Sequence, residues 1–303
     1  MVDLLRLPFC EEGCIFFFRF DSTMSIDAKR GRIVFEKLER DLLKLSSKPR
    51  SENVHSFRTG TRRVQILLGE LSPGLNRSQK KLLKMLDRIR KRAGKVRDLD
   101  VQLAALRALK TPREPRRKTQ LVNQLIELRR EQEKKLHKAV DDETVREIRK
   151  RLKRAEKNFK PQAGRDPLEV ARAMLKVMDR TDVEVTEALL HQYRILTKRA
   201  RYAAEFAGQS AEARKFIAEL KRIQDALGDW HDWLTLRQSA VEHVGEIRES
   251  PLVAELANVT GAKFRHAVAV LAQVRSAHVP AKHAGAAQSS AQAARPRPVI
   301  SAA

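Results

Sequence analysis

The chain is poor in aromatic residues: Phe, Trp and Tyr make up 5% of its 303 positions. A surface of aromatic platforms, on which single-strand nucleic-acid binders stack bases, is hard to build from so few. Cysteine is scarcer still, with only Cys10 and Cys14. Both precede any periodic pattern, and no second pair completes a four-ligand metal site, so they fit a reducing, intracellular setting. Long apolar runs are also missing. Cys14 to Phe18, flanked by Glu11, Glu12 and Arg19, is too short for a membrane span or a secretory core, and a cytoplasmic location is expected. There is no credible strand, nucleophile elbow, paired acid and base or glycine-rich phosphate loop, so no enzymatic chemistry and no cofactor are expected. Acid is in deficit as well. Lys and Arg number 62 against 38 Asp and Glu, a formal charge of +24. Such an excess repels itself unless the partner is a polyanion or an anionic surface: nucleic acid, polyphosphate or acidic membrane.

What is present is one helical pattern, used twice. At 100° per residue, Val54, Phe57, Thr61, Val64, Leu67, Leu68 and Leu71 fall on one side, and His55, Arg58 and Arg62 gather on the other. The design returns at 190–207, where Leu190, Tyr193, Thr197, Ala200 and Ala204 form the inner stripe. His191, Arg194, Lys198, Arg201 and Tyr202 form the outer one. Aligned without a gap, His55 meets His191, Arg58 meets Arg194, Thr61 meets Thr197, Arg62 meets Lys198 and Arg63 meets Arg199. The helices that follow also match, with Lys81, Arg88, Ile89, Gly94 and Asp98 opposite Lys215, Arg222, Ile223, Gly228 and Asp232.

Read in order, residues 1–23 have no clean period, and Met24 before Ser25 is a candidate start. A first helix runs from Ile26 to Leu45. Ser51 is a candidate cap for the second, and Ser72, Pro73 and Gly74 end it. The third begins near Asn76 and continues to Thr111 and Pro112, with Lys84, Arg88, Lys91 and Lys95 in a line opposite its apolar face. Gly94 in its middle implies a bend or a close backbone approach. Residues 113–160 mix signs densely, including Arg116 and Arg117, and read as one long solvated helix or two nearly in line. Asp166, Pro167 and Glu169 start the second half; Thr181 and Glu184 form a capping box, Ser210 a further cap, and Ser250 with Pro251 the last start. The expected architecture is all-α: two four-helix bundles, 24–160 and 165–276, related by a pseudo-twofold around a basic groove. A disordered tail is expected over 277–303.

The row His-x2-Arg-x3-[Arg/Lys]-Arg spans about 10 Å of helix rise and suits a repeating chain of charges better than one small anion. Arginine forks grip phosphate oxygens, lysine adds a point charge and histidine donates one hydrogen bond. A divalent metal on His55, His191, His231, Asp98 and Asp232 is a rival, but fixed positive charge opposes it. Asp98 and Asp232 read better as partners that orient arginines. The stretches VHSFRTGTRRVQILLGEL (54–71), AGKVRDLDV (93–101), LHQYRILTKRARYAAEF (190–206) and LKRIQDALGDWHD (220–232) resemble the CHAD domain, the conserved histidine α-helical domain, over roughly 26–274. The resemblance implies two pseudo-symmetric four-helix bundles and the binding of inorganic polyphosphate in a basic central pore, and a place beside polyphosphate granules. It implies as phosphate contacts His55, Arg58, Arg62, Arg63, Arg97, His191, Arg194, Lys198, Arg199 and Arg201, then Arg88 and Arg222. His231 stands where the first half has Arg97, so the halves are not equivalent. The ExExK signature of the triphosphate-tunnel domain that precedes many relatives is absent, so its hydrolase activity does not transfer. General nucleic-acid binding remains the alternative, ahead of divalent metal binding.

Overall fold

A computed structural model describes residues 28–110, 114–179, 184–208, 210–245 and 250–278. The calls on residues 1–23, Ser25, Thr181 and the tail beyond 278 lie outside these. Among the described residues there are nine α-helices and no strand: α1 Ala28–Ser47, α2 Ser51–Gly69, α3 Arg77–Ala108, α4 Pro115–His137, α5 Asp142–Lys157, α6 Pro167–Leu175, α7 Glu187–Ala204, α8 Ala211–Val244 and α9 Pro251–His278. A short 3-10 turn, Lys176–Asp179, extends α6.

The inner stripes of the repeated helices are where the 3.6 period puts them: Val54, Phe57, Thr61, Val64, Leu190, Tyr193, Thr197 and Ala200 are all buried. Asn76 and Gln79 form a reciprocal capping box at the start of α3. Asp166 caps α6 ahead of Pro167, and Ser210 caps α8. Two expected caps are corrected. α7 starts at Glu187 with Thr186 as its cap, the Thr186 hydroxyl accepting from the Leu189 amide at 3.2 Å, and Glu184 lies outside the helix. Ser51 makes no cap either, because its hydroxyl accepts instead from Arg97 Nη1 at 2.9 Å.

The charged segment breaks in two where the Asp141 carboxylate accepts from the Thr144 amide at 2.7 Å and caps α5, so the described residues of 24–160 carry five helices instead of four. α5 packs on α1 and α3, whereas α4 lies along α3 and touches α8. Three apolar clusters result. The first joins α1, α2, the front of α3, and α5 to α6, the end of α7 and the start of α8. The second lies among α7, α8 and α9 around Tyr193, Trp230 and Leu271. The third contains Leu103 and Leu106 of α3, Leu121 and Leu125 of α4, Leu236 of α8 and Leu252 of α9, so it is built from both halves. Full burial of such leucines is worth roughly 1.5 to 3 kcal/mol each. α3 and α8 each run through more than one cluster, which holds their middle turns, where the site residues sit, between packed ends. α2 also packs on α7 and α3 on α8.

Candidate polyanion site

Arg58 of α2 is fixed by its surroundings. Its Nη1 donates to the Gly94 carbonyl at 2.9 Å and reaches Asp98 Oδ1 at 3.4 Å. A Cβ at residue 94 would lie 3.2 Å from that nitrogen, so Gly94 permits the close approach. Arg97, held by Ser51, stands beside His55 and lowers its pKa together with Arg58, after burial as the leading cause. Arg62 is pushed down to about 10 by burial first and then by Arg90, with Arg58 and Arg194 adding to it.

The second half contributes Arg194 and Lys198 from α7. Arg194 is largely buried, its Nε has no hydrogen-bond partner, and burial lowers its pKa against the opposing fields of Asp232 and Asp98. Burial, then Arg194 and Arg62, push Lys198 from its ordinary 10.5 to about 7. His191 is lowered by burial and by the same Arg194 and Lys198, and its ring centre lies 5.2 Å from that of His231. His231 is driven by burial, Arg194, His191 and Lys198 to about 3, and its Nδ1 is buried without a partner. It is therefore a neutral group where the first half has the Arg97 cation. Burial raises the Asp232 pKa against the pull of Arg194 and Lys198.

The structure thus brings together His55, Arg58, Arg62, Arg97, His191, Arg194 and Lys198. Arg201 stands at the edge: its field reaches His55, but its guanidinium donates to Gln224 at 2.6 Å and Glu205 at 2.8 Å and lies 4.8 Å from the Tyr202 ring centre. Two expected contacts carry carboxylates instead, because they face the α2–α7 seam where acids meet them. Arg63 donates to Glu205 at 2.8 Å and Arg199 to Glu70. Two others take no part in the cluster. Arg222 donates to Gln273 of α9 at 3.0 Å, and the exposed Arg88 acts on Asp141 at the start of α5. Arg90 was not among the expected residues, although it lies one turn before Gly94 on the same face of α3. It pairs with Asp87, and its Nε is buried without a partner.

Asp98 therefore does orient Arg58, whereas Asp232 acts on Arg194 through its field. Among the described residues no group of three or more His, Cys, Asp or Glu side chains is placed to hold a metal ion. No described helix is long and apolar enough to cross a membrane. What converges here is a set of cations on three helices, α2, α3 and α7, with fewer carboxylates than would neutralise them.

The CHAD domain family model matches residues 34–240. The fold is similar to the crystal structure of the CHAD domain from the plant Ricinus communis, with a TM-score of 0.55 and 19% identity over 82% of this chain and 89% of that one. It is also similar to PptA from Streptomyces chartreusis, with a TM-score of 0.60 and 17% identity over 84% and 97% of the two chains. No curated protein matches the chain.

Proposed function

The chain belongs to the CHAD domain family, and from that membership we propose that it binds inorganic polyphosphate in a basic pore between its two pseudo-twofold halves. The observation that carries this reading is the incompletely neutralised convergence of Arg58, Arg62, Arg97, Arg194 and Lys198. Burial, then Arg194 and Arg62, drive Lys198 down to about 7, and the buried Nε of Arg194 has no partner. Such a cluster is stabilised by an anion with many oxygens, and a linear chain of phosphates can reach both halves at once. Arg58, held by Gly94 and Asp98, is a preformed fork, whereas Arg194 has donors to spare. The protein acts as a binding module in the cytoplasm, at polyphosphate granules, without chemistry of its own.

Charge reversal tests this reading. Arg58→Glu with Arg194→Glu is expected to lower polyphosphate affinity about tenfold or more, since each change removes a charge-assisted contact of roughly 1.5 to 3 kcal/mol. Arg146→Glu with Lys157→Glu, both exposed on α5, is the control. Equal losses in the two variants would show that only net charge matters. Polyphosphate should also displace a labelled oligonucleotide far better than the reverse; the opposite order would favour nucleic acid. Orthophosphate released from tripolyphosphate would overturn the non-catalytic part of the reading.

A further inference from the structure

On α3 the site face is Arg90, Gly94 and Arg97, which at 100° per residue span roughly 60° of arc. Beyond a seam made by Asp87 and Asp98, the next roughly 60° holds Lys91, Lys84, Lys95 and Arg88. All four are exposed. Among the described residues Lys84, Arg88 and Lys95 form no ion pair, and Lys91 lies 3.0 Å from Asp87. Asp87 also accepts from Arg90, so one carboxylate joins the site face to the lysine face. The four cations cover about 16 Å along the helix.

The repeat supplies an internal comparison. On α8 the same four positions, in the frame that aligns Gly94 with Gly228, are Ala218, Arg222, Asp225 and Asp229. The two carboxylates there are already matched, Asp225 by Lys221 at 2.6 Å and Asp229 by Lys263 at 2.7 Å. Arg222 is turned to Gln273. On the adjoining site face of α8, His231 replaces Arg97, and it is neutral. A solvated stripe that served only solubility would have no cause to differ so sharply between faces of the same origin that flank the same site.

Resting on the polyphosphate reading of the site, we propose that Lys84, Arg88, Lys91 and Lys95 are an exit track for a chain longer than the site holds. The matching face of α8 is not a track, so a long chain leaves the site over the first half only. The track adds affinity in proportion to the phosphates that lie outside the site, and a chain short enough to end inside it gains nothing.

The test compares tripolyphosphate with long-chain polyphosphate on the full chain. Lys84→Gln with Lys91→Gln and Lys95→Gln should weaken long-chain binding by about tenfold, at a factor of two to three per lost exposed contact, and tripolyphosphate by less than about twofold. Ala218→Lys with Asp225→Lys and Asp229→Lys, which installs a second track, should strengthen long-chain binding alone. This gain cannot come from misfolding. Equal losses for both ligands in the first variant would show a diffuse field in place of a track and overturn the inference, as would no loss for either. If Arg58→Glu with Arg194→Glu leaves both ligands bound as before, the reading of the site itself has failed, whatever the lysines do.

Discussion

Lys198 should take up a proton when the site fills. In the empty protein its pKa has fallen from 10.5 to about 7, through burial first and then Arg194 and Arg62. At roughly 1.4 kcal/mol per unit, this shift sets on the order of 4 kcal/mol against the empty folded state at neutral pH. The sign follows from linkage. A folded-state pKa below the unfolded one gives stability that is full above pH 10.5, is lost as the pH falls towards 7, and is flat below that. A bound polyanion reverses the local field and returns the ammonium towards its ordinary range. At pH 8 the empty site then carries about 0.1 proton on Lys198 and the filled site close to one, so about 0.9 proton enters per site. Affinity rises as the pH falls from the bound pKa towards 7, by up to about tenfold per unit, and this contribution is level below it. Calorimetry in two buffers of different ionisation enthalpy reads the uptake. His55 and His191, lowered from 6.5 in the absence of polyanion, start out neutral at pH 8. Lys198→Arg keeps its charge throughout, so it should bind without the uptake. Lys198→Met should bind more weakly yet unfold at a higher temperature when empty. Uptake at pH 8 that persists in Lys198→Arg would refute the assignment, and so would its absence in the unaltered protein.

Gly94→Ala should weaken binding by roughly two- to tenfold, the value of one hydrogen bond, because the new methyl displaces the Arg58 guanidinium. Gly228→Ala, with nothing within 4 Å of the added carbon, should leave affinity unchanged and stabilise α8 by about 0.5 to 1 kcal/mol; if the two exchange behaviour, the Arg58–Gly94 approach is not what positions the fork. Leu125→Ala in the cluster shared by both halves should cost about 2 to 5 kcal/mol in urea denaturation and keep a single transition. Two separate transitions would mean that the halves fold independently of that cluster.

Much of the fold was legible because the repeated pattern is strong. The inner stripes from Val54 to Leu71 and from Leu190 to Ala204 are buried as the period requires, and Gly94 marked a close approach before its neighbour was known. The break at Asp141 was less visible, since Asp142 and Glu143 look like more of the same charged run; an aspartate cap ahead of two acids was the available signal. Ser51 fits a cap by type, but a serine hydroxyl also accepts from a long arginine, and which bond wins depends on where α3 runs. The cationic faces identified the helices that bear the site but not which cations are free. Arg63 and Arg199 follow Arg62 and Lys198 in the repeated motif but lie about 100° further round their helices, and tertiary packing brings Glu205 and Glu70 to them there. Arg90 was missed for the converse reason: its neighbours Arg88 and Lys91 belong to a more conspicuous exposed line.

The cluster around Arg194 has one more consequence, which concerns what fills it when no polyphosphate is present. Electroneutrality is restored within about a Debye length, roughly 10 Å at 0.1 M salt, so small anions of the medium gather among these guanidinium groups. A measured affinity is then an exchange constant, set against whichever anion is displaced, and phosphate or sulfate buffers will make the same protein look a weaker binder than acetate does. The exchange also has a direction. One long chain that enters releases many small anions from the protein while shedding its own cations, and the gain in translational freedom grows with each pair set loose.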